Sequence, residues 1–359
     1  MELTYKADFE RVKDVWRHFW NGEMVRRPVV VAQVSRPGRS PGNPGHLRYL
    51  RANTRRWEEQ LAAIDGWLED TVFLAEAVPH FSPDHGPDQF ACFYGGRLEH
   101  SADSPETNWV HPFVDGRWEA VLPLRLDREG SVWTSVMGLS RRLAEHARGR
   151  YLVGACDLHS NLDTLLAMRG GEGLCMDLIE QPEAIGAAMA DVRQAYPVVY
   201  DELYRAGGMS AETGSIGWIP FWSDGRFATI QCDALCMISP QISRKIVLPA
   251  LEEEAEFLDH CVLHFDGPGA LPHLDDVLSI KAIDAIQWVP GDGQKPMREW
   301  IDVLQRCQAA GKAVQVYGVN PEHVRQLHRI LKPEKTVYCV EAEHPDRINE
   351  LLYWLEKNT

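Results

Sequence analysis

In the carboxyl-terminal half of the chain, short apolar runs alternate with amphipathic stretches of helical period, a pattern that predicts strands each followed by a helix. The strands fall at Phe227–Asp233, Cys261–Asp266, Ala282–Val289, Ala313–Gly318 and Thr336–Ala342. Helices follow at Pro240–Leu258, Ala270–Leu278, Met297–Ala310, Pro321–Leu331 and Pro345–Lys357. Pro240, Pro321 and Pro345 sit in first turns, where the missing N–H costs nothing and the fixed φ suits a helix start. Upstream, the continuous apolar runs Pro28–Val34, Val72–Val78 and Tyr151–Asp157 read as buried strands of a parallel sheet. The segment Pro182–Ala206 reads as a long amphipathic helix of an outer layer.

Eight strands alternating with helices predict a (β/α)8 TIM barrel, with residues 1–359 as one domain. Between about 79 and 135 the pattern weakens into a stretch rich in Pro, Gly, His and aromatics, which predicts a long irregular insertion over the barrel mouth. The loop SRPGRSPGNPGH (35–46) carries Arg36 and Arg39, either anion contacts or members of a solvated loop.

Composition narrows the partners. A net charge of −15, from 37 basic against 52 acidic residues, disfavours nucleic acid and anionic membranes. The amino terminus has no apolar signal core, and no uncharged stretch approaches a membrane span, so a cytoplasmic location is expected. The eight cysteines form no CxxC pair and are expected to be reduced.

In a barrel, catalytic side chains come from strand carboxyl ends. The strongest local signal is His264-Phe265-Asp266-Gly267-Pro268-Gly269. Residues two apart on a strand share a face, so His264 and Asp266 both point to the mouth, able to bind a metal together or to act as an oriented acid/base couple. Catalytic zinc needs about three N, S or O ligands, and His264, Asp266, Asp233 and Cys339 make such a set. Cys232 and Cys339 read equally as packed thiols, and a one-residue shift decides whether Cys232 or Asp233 faces the lumen. Asp157 and His159 share a face by the same period, whereas Asn161 and Asp163 read as helix-start residues. Trp222 beside Asp224, Gln287 with Trp288, and Tyr317 are candidate pocket walls and hydrogen-bonding groups for a small ligand. No phosphate-cradling loop and no GxSxG elbow is present.

The blocks 81–96, 157–185, 231–251 and 263–293, and the closing helix after YCVEAEHPDRI, occur in order around the chain and resemble the uroporphyrinogen decarboxylase and corrinoid-methyltransferase superfamily. The resemblance implies zinc-dependent methyl transfer from a methylated corrinoid carried by a partner protein. In that branch a His-x-Cys pair, a later Cys and an acidic residue hold zinc. Here the pair reads His264-x-Asp266, with Cys339 and Asp233 at the other two places, which hardens the donor set.

The decarboxylase branch, whose arginine-rich amino-terminal motif has no clean counterpart around Arg26 and Arg27, implies metal-free decarboxylation or lyase chemistry with His264 and Asp266 as acid and base. That reading predicts activity after exhaustive chelation. A sugar-active enzyme using Asp157, Asp233, Asp266 and Glu341 is a further alternative. A module that docks a corrinoid protein without catalysis would tolerate His264→Ala. A homodimer is expected if apolar residues are exposed on the outer helices.

Overall fold

The structure is a computed structural model describing residues 2–101 and 104–359; two residues of the expected insertion, 102 and 103, therefore lie outside it. The chain folds as mixed α/β around a seven-stranded sheet. In spatial order its strands are Thr71–Ala75, Val29–Ser35, Thr336–Val340, Ala313–Val319, Ala285–Val289, His260–Asp266 and Phe227–Gln231. Six of them run parallel, as the βαβα pattern requires.

Two expectations need correction. Thr71–Ala75 pairs antiparallel with Val29–Ser35: after the short helix Arg48–Asn53 and the helix Trp57–Asp70 the chain re-enters beside the end it left, with Thr71 opposite Ser35. The run Tyr151–Asp157 contributes only Leu152–Val153, paired with His80–Phe81 in a separate two-stranded ladder. The hydrogen-bonded sheet consequently does not close into eight strands. Side-chain to backbone bonds cross part of the gap, with the Asn161 amide donating to the Gln231 carbonyl at 2.9 Å.

Alternation along the strands separates two buried layers. Ala32, Ile230, Leu263, Phe265, Ile286, Trp288, Val314 and Tyr338 join a cluster with the outer helices, Pro182–Ala206 and Pro240–Phe257 among them. Val29, Val31, Val262, Ala285, Ala313 and Val337 join a second cluster with Phe9, Trp16, Phe221 and Trp222. Val262, Ala285, Ala313 and Val337 lead along their strands, two residues at a time, to His264, Gln287, Gln315 and Cys339. The polar groups therefore sit on the second face, toward the carboxyl ends.

The insertion is partly ordered. It carries the hairpin Leu98–Ser101 with Ser104–Val110 and the helix Ser131–Ala147. Arg36 donates to the Glu69 carbonyl at 2.7 Å and Arg39 lies 3.6 Å from Asp70, so both are tied to the end of the Trp57–Asp70 helix. All eight cysteines are free. Among the described residues, no helix is long and apolar enough to cross a membrane.

Candidate active site at the strand carboxyl ends

In the parallel register His264 lies opposite both Gln231 and Gln287. Ala285 pairs with Ala313, which brings Gln287 beside Gln315 on the same face. The resulting chain of side-chain bonds has a direction. Gln315 Nε2 donates to Cys339 Sγ at 3.2 Å, leaving Gln315 Oε1 to accept from Gln287 Nε2 at 2.7 Å. Gln287 therefore turns Oε1 toward His264 Nδ1, with which it makes a short contact. An amide oxygen only accepts, so Nδ1 carries a proton, and of the two neutral tautomers the contact selects the one with its lone pair on Nε2.

Two residues beyond His264, Asp266 ends the strand. Gly267 turns the chain with φ +78°, a conformation that favours glycine, and its N–H donates to the Val289 carbonyl at 2.8 Å. Gly269 then passes so close to the turn Asp233–Met237 that an added Cβ would stand 2.9 Å from Cys236 Cβ. This close approach brings Asp233 to Asp266. One ligand atom each from Asp233, His264 and Asp266 lies within 4.8 Å of the others, and His159, Asp163 and Asp233 form a second such group that shares Asp233.

The carboxylates crowd one another. Asp163 accepts from the backbone N–H of Asp233 at 2.8 Å and of Ala234 at 2.9 Å, yet burial and the charge of Asp233 push its pKa up to about 6. Burial likewise raises Asp266, with His264 opposing and Asp233 adding to the shift. Asp233 Oδ1 and Asp266 Oδ1 are buried without a hydrogen-bond partner. Unpaired buried carboxylate oxygens beside an imidazole nitrogen are what a divalent cation would satisfy, so the donor set fits a metal ion.

Beside this group, His159 Nε2 stands 3.7 Å from Asp157 Oδ2. Burial disfavours the imidazolium, but Asp157, Asp163 and Asp233 outweigh it and hold the His159 pKa up at about 10. Burial also opposes the Asp157 anion, while His159, His264 and Arg48 keep its carboxyl below the usual range. Gln231 Nε2 donates to Asp157 Oδ1 at 2.9 Å and Asp84 accepts from the Asp157 N–H at 2.7 Å. Asp84 is pushed up to about 6 by burial, despite Arg48.

Of the candidates from sequence, His264, Asp266, Asp233, Gln287, His159 and Asp157 are thus brought together. Asp233 rather than Cys232 faces the site, and Cys232 packs in the outer cluster. Tyr317 donates its hydroxyl to the Trp288 carbonyl at 3.3 Å, and burial, with the Asp266 charge adding, raises its pKa to about 12. Three candidates are corrected. Cys339 belongs to neither three-ligand group: it ends the glutamine relay, and burial raises its thiol to about 12. Trp288 is fully buried on the outer face against Phe265 and Trp300. Trp222 is fully buried in the second cluster, where its indole donates to the Thr213 carbonyl at 2.8 Å, and neighbouring Asp224 is paired with Arg17. Asn161 and Asp163 brace neighbouring segments rather than simply starting a helix.

The aromatic wall of the site is Trp218, with its ring centroid 5.3 Å from that of His264. It lies in an irregular segment with no periodicity to reveal it. Gln231, Gln315 and Arg48 also escaped the sequence reading, although a glutamine inside each of the apolar runs FATIQ and AVQVYG is a legible sign of an inward polar position.

No family model matches the chain, and no curated protein does. Among solved structures it is similar to a methyltransferase from Methanosarcina mazei, with a TM-score of 0.60 and 11% identity over 97% of this chain and 98% of that one. At that identity the likeness concerns the fold.

Proposed function

We propose that the chain, as one unit over residues 1–359, is a metal-dependent methyltransferase of the TIM-barrel type, with Asp233, His264 and Asp266 as its metal ligands. The observation that carries this reading is the convergence of those three ligand atoms within 4.8 Å, two of the carboxylates each having a buried oxygen without a partner. The full-length fold likeness to a methyltransferase supports the reaction class, and the resemblance in sequence supports zinc as the ion and a methylated corrinoid on a partner protein as the methyl source. A divalent ion at these ligands supplies Lewis acidity to the methyl donor or acceptor.

The chain's own residues do the rest. Gln287 and Gln315 keep His264 in the tautomer that leaves Nε2 free. His159 places a fixed positive charge among Asp157, Asp163 and Asp233, which eases the repulsion of a carboxylate-rich site. Trp218 and half-buried Tyr317 wall the site and limit the water that reaches it.

The alternative, a metal-free lyase reaction, has Asp163 in its favour, since a carboxyl pushed up to about 6 can donate a proton near neutral pH. Elemental analysis of the untagged protein beside His264→Ala separates the two. About one equivalent of metal, lost in the folded variant, is the expected result. No metal in either protein refutes the metal-dependent reading and leaves the lyase.

A further inference from the structure

Outside the ligand group, a cavity of about 260 Å³ opens beside the site. Arg48, Trp67, Phe81, Ser82, Trp218 and Pro220 are among its walls, and no acidic side chain lines it. Trp218 is also the residue whose ring meets His264, so this cavity and the ligand group share a wall.

Arg48 spends little of its donor capacity. Nη2 donates to the Tyr49 hydroxyl at 2.6 Å, and Nη1 reaches Asp84 only at 3.5 Å. Its side chain keeps about a third of its surface exposed. The indole Nε1 of Trp218 is buried and unpartnered, whereas Ser82 Oγ, also unpartnered, is packed against Gly154, which is not among the walls. The indole N–H can donate a hydrogen bond, as can the guanidinium, while Trp67, Phe81 and Trp218 give flat apolar surface. The volume lies just below the roughly 300–1,000 Å³ of pockets for drug-sized ligands, and suits one ring rather than a macrocycle.

We infer that this cavity is a subsite for a small planar carboxylate, an aromatic or conjugated acid whose anion meets Arg48 and whose ring lies against Trp218 and Phe81. The inference rests on the methyltransferase reading only in making that carboxylate the methyl donor or acceptor; the binding itself is independent of it.

Calorimetric titration with benzoate tests the assignment, with benzyl alcohol as the uncharged control and with protein both as isolated and after exhaustive chelation. Benzoate is expected to bind both forms, and benzyl alcohol at least about tenfold more weakly. Arg48→Met should weaken benzoate by roughly ten- to a hundredfold, as for a lost charged hydrogen bond, and Trp218→Phe by roughly two- to tenfold. If Arg48→Met does not fold, Trp218→Phe and the benzyl alcohol comparison carry the test. Three results overturn the subsite: no benzoate binding, equal binding by folded Arg48→Met, or binding only by metal-loaded protein, which would put the carboxylate on the ion. Benzoate binding by protein that holds no metal before or after chelation would sink the metal-dependent reading and leave the subsite standing.

Discussion

Replacing Gln287 by leucine tests whether the relay from Cys339 really sets the state of His264. Leucine keeps the approximate volume and removes two bonds, the acceptor for His264 Nδ1 and the donor to Gln315 Oε1. Loss of a hydrogen-bond partner behind a ligand histidine typically weakens metal binding by roughly 10–100-fold, or about 1.4–2.7 kcal/mol. The orphaned, buried Gln315 Oε1 adds a stability cost of about 1–3 kcal/mol, read separately from a melting curve. Competition against a chromophoric chelator gives the affinity. Gln287→Glu is the rescue: its carboxylate still accepts from Nδ1–H, and Gln315 can turn its amide to donate to it while accepting from the Cys339 thiol. The expected order of affinity is wild type close to Gln287→Glu, then Gln287→Leu, then His264→Ala. A folded Gln287→Leu protein that binds metal as tightly as wild type refutes the tautomer argument, even if His264→Ala abolishes binding.

Other positions give independent readouts. Gly269→Val should wedge the loop after Asp266 away from Cys236, and so lower metal affinity with little loss of helix content by circular dichroism, whereas an unchanged affinity would mean that the close approach does not set the Asp233–Asp266 spacing. Trp288→Phe, in the outer layer, should cost stability and leave metal content unchanged; loss of metal from the folded variant would return Trp288 to the site. Asp177 accepts from Trp118 Nε1 at 2.8 Å, Arg169 Nε at 2.7 Å and Gln181 Nε2 at 3.0 Å, so Asp177→Ala should destabilise by about 3–5 kcal/mol in denaturant melts, and a change under about 1 kcal/mol would contradict the network. Glu254, held by Ser160 at 2.7 Å and by Asn161, has its pKa raised to about 8 by burial. A carboxyl raised in the folded state binds its proton more tightly there than in the unfolded chain. Its contribution is therefore fully present below the ordinary value of 4.5 and is lost as pH rises toward 8. Glu254→Gln should flatten the fall in melting temperature over that range, and an unchanged slope would assign the fall to another group.

The strands from Phe227 onward were readable because each is a continuous apolar run between a helix and a turn, and the observed bounds differ from the expected ones by at most a few residues. The amino-terminal half was harder for a physical reason. An antiparallel edge strand and a two-residue strand carry the same apolar composition as a parallel one, and their direction is set by connections that periodicity does not encode. The same distinction holds within the site. His264 and Asp266 were legible because period two fixes their common face, and Asp233 followed once the strand ended at Gln231. Trp222 and Trp288 were misplaced because bulk and flatness serve packing as well as binding, and only parity along the strand separates the uses. By that parity Trp288, one residue from Gln287, falls on the outer face.

Cys339 shows how a ligand position can change its role without leaving its place. In the resemblance it stands where a thiolate would join the metal, yet burial pushes its thiol up to about 12 and its sulfur accepts from Gln315. Holding a thiolate there would require a nearby cation to offset the desolvation, and no lysine or arginine contributes to its shift. The ligand group already has two carboxylates in Asp233 and Asp266, so a further anion would deepen a repulsion that has raised Asp163 and Asp266. Replacing the second residue of a His-x-Cys pair by Asp266 therefore has a consequence three strands away. The site becomes a harder nitrogen and oxygen set, and the remaining cysteine stays neutral, anchoring the glutamine relay that presents His264 Nε2. Under the proposed metal-dependent reading, such a donor set would suit a hard, oxygen-bearing ligand better than a soft thiolate.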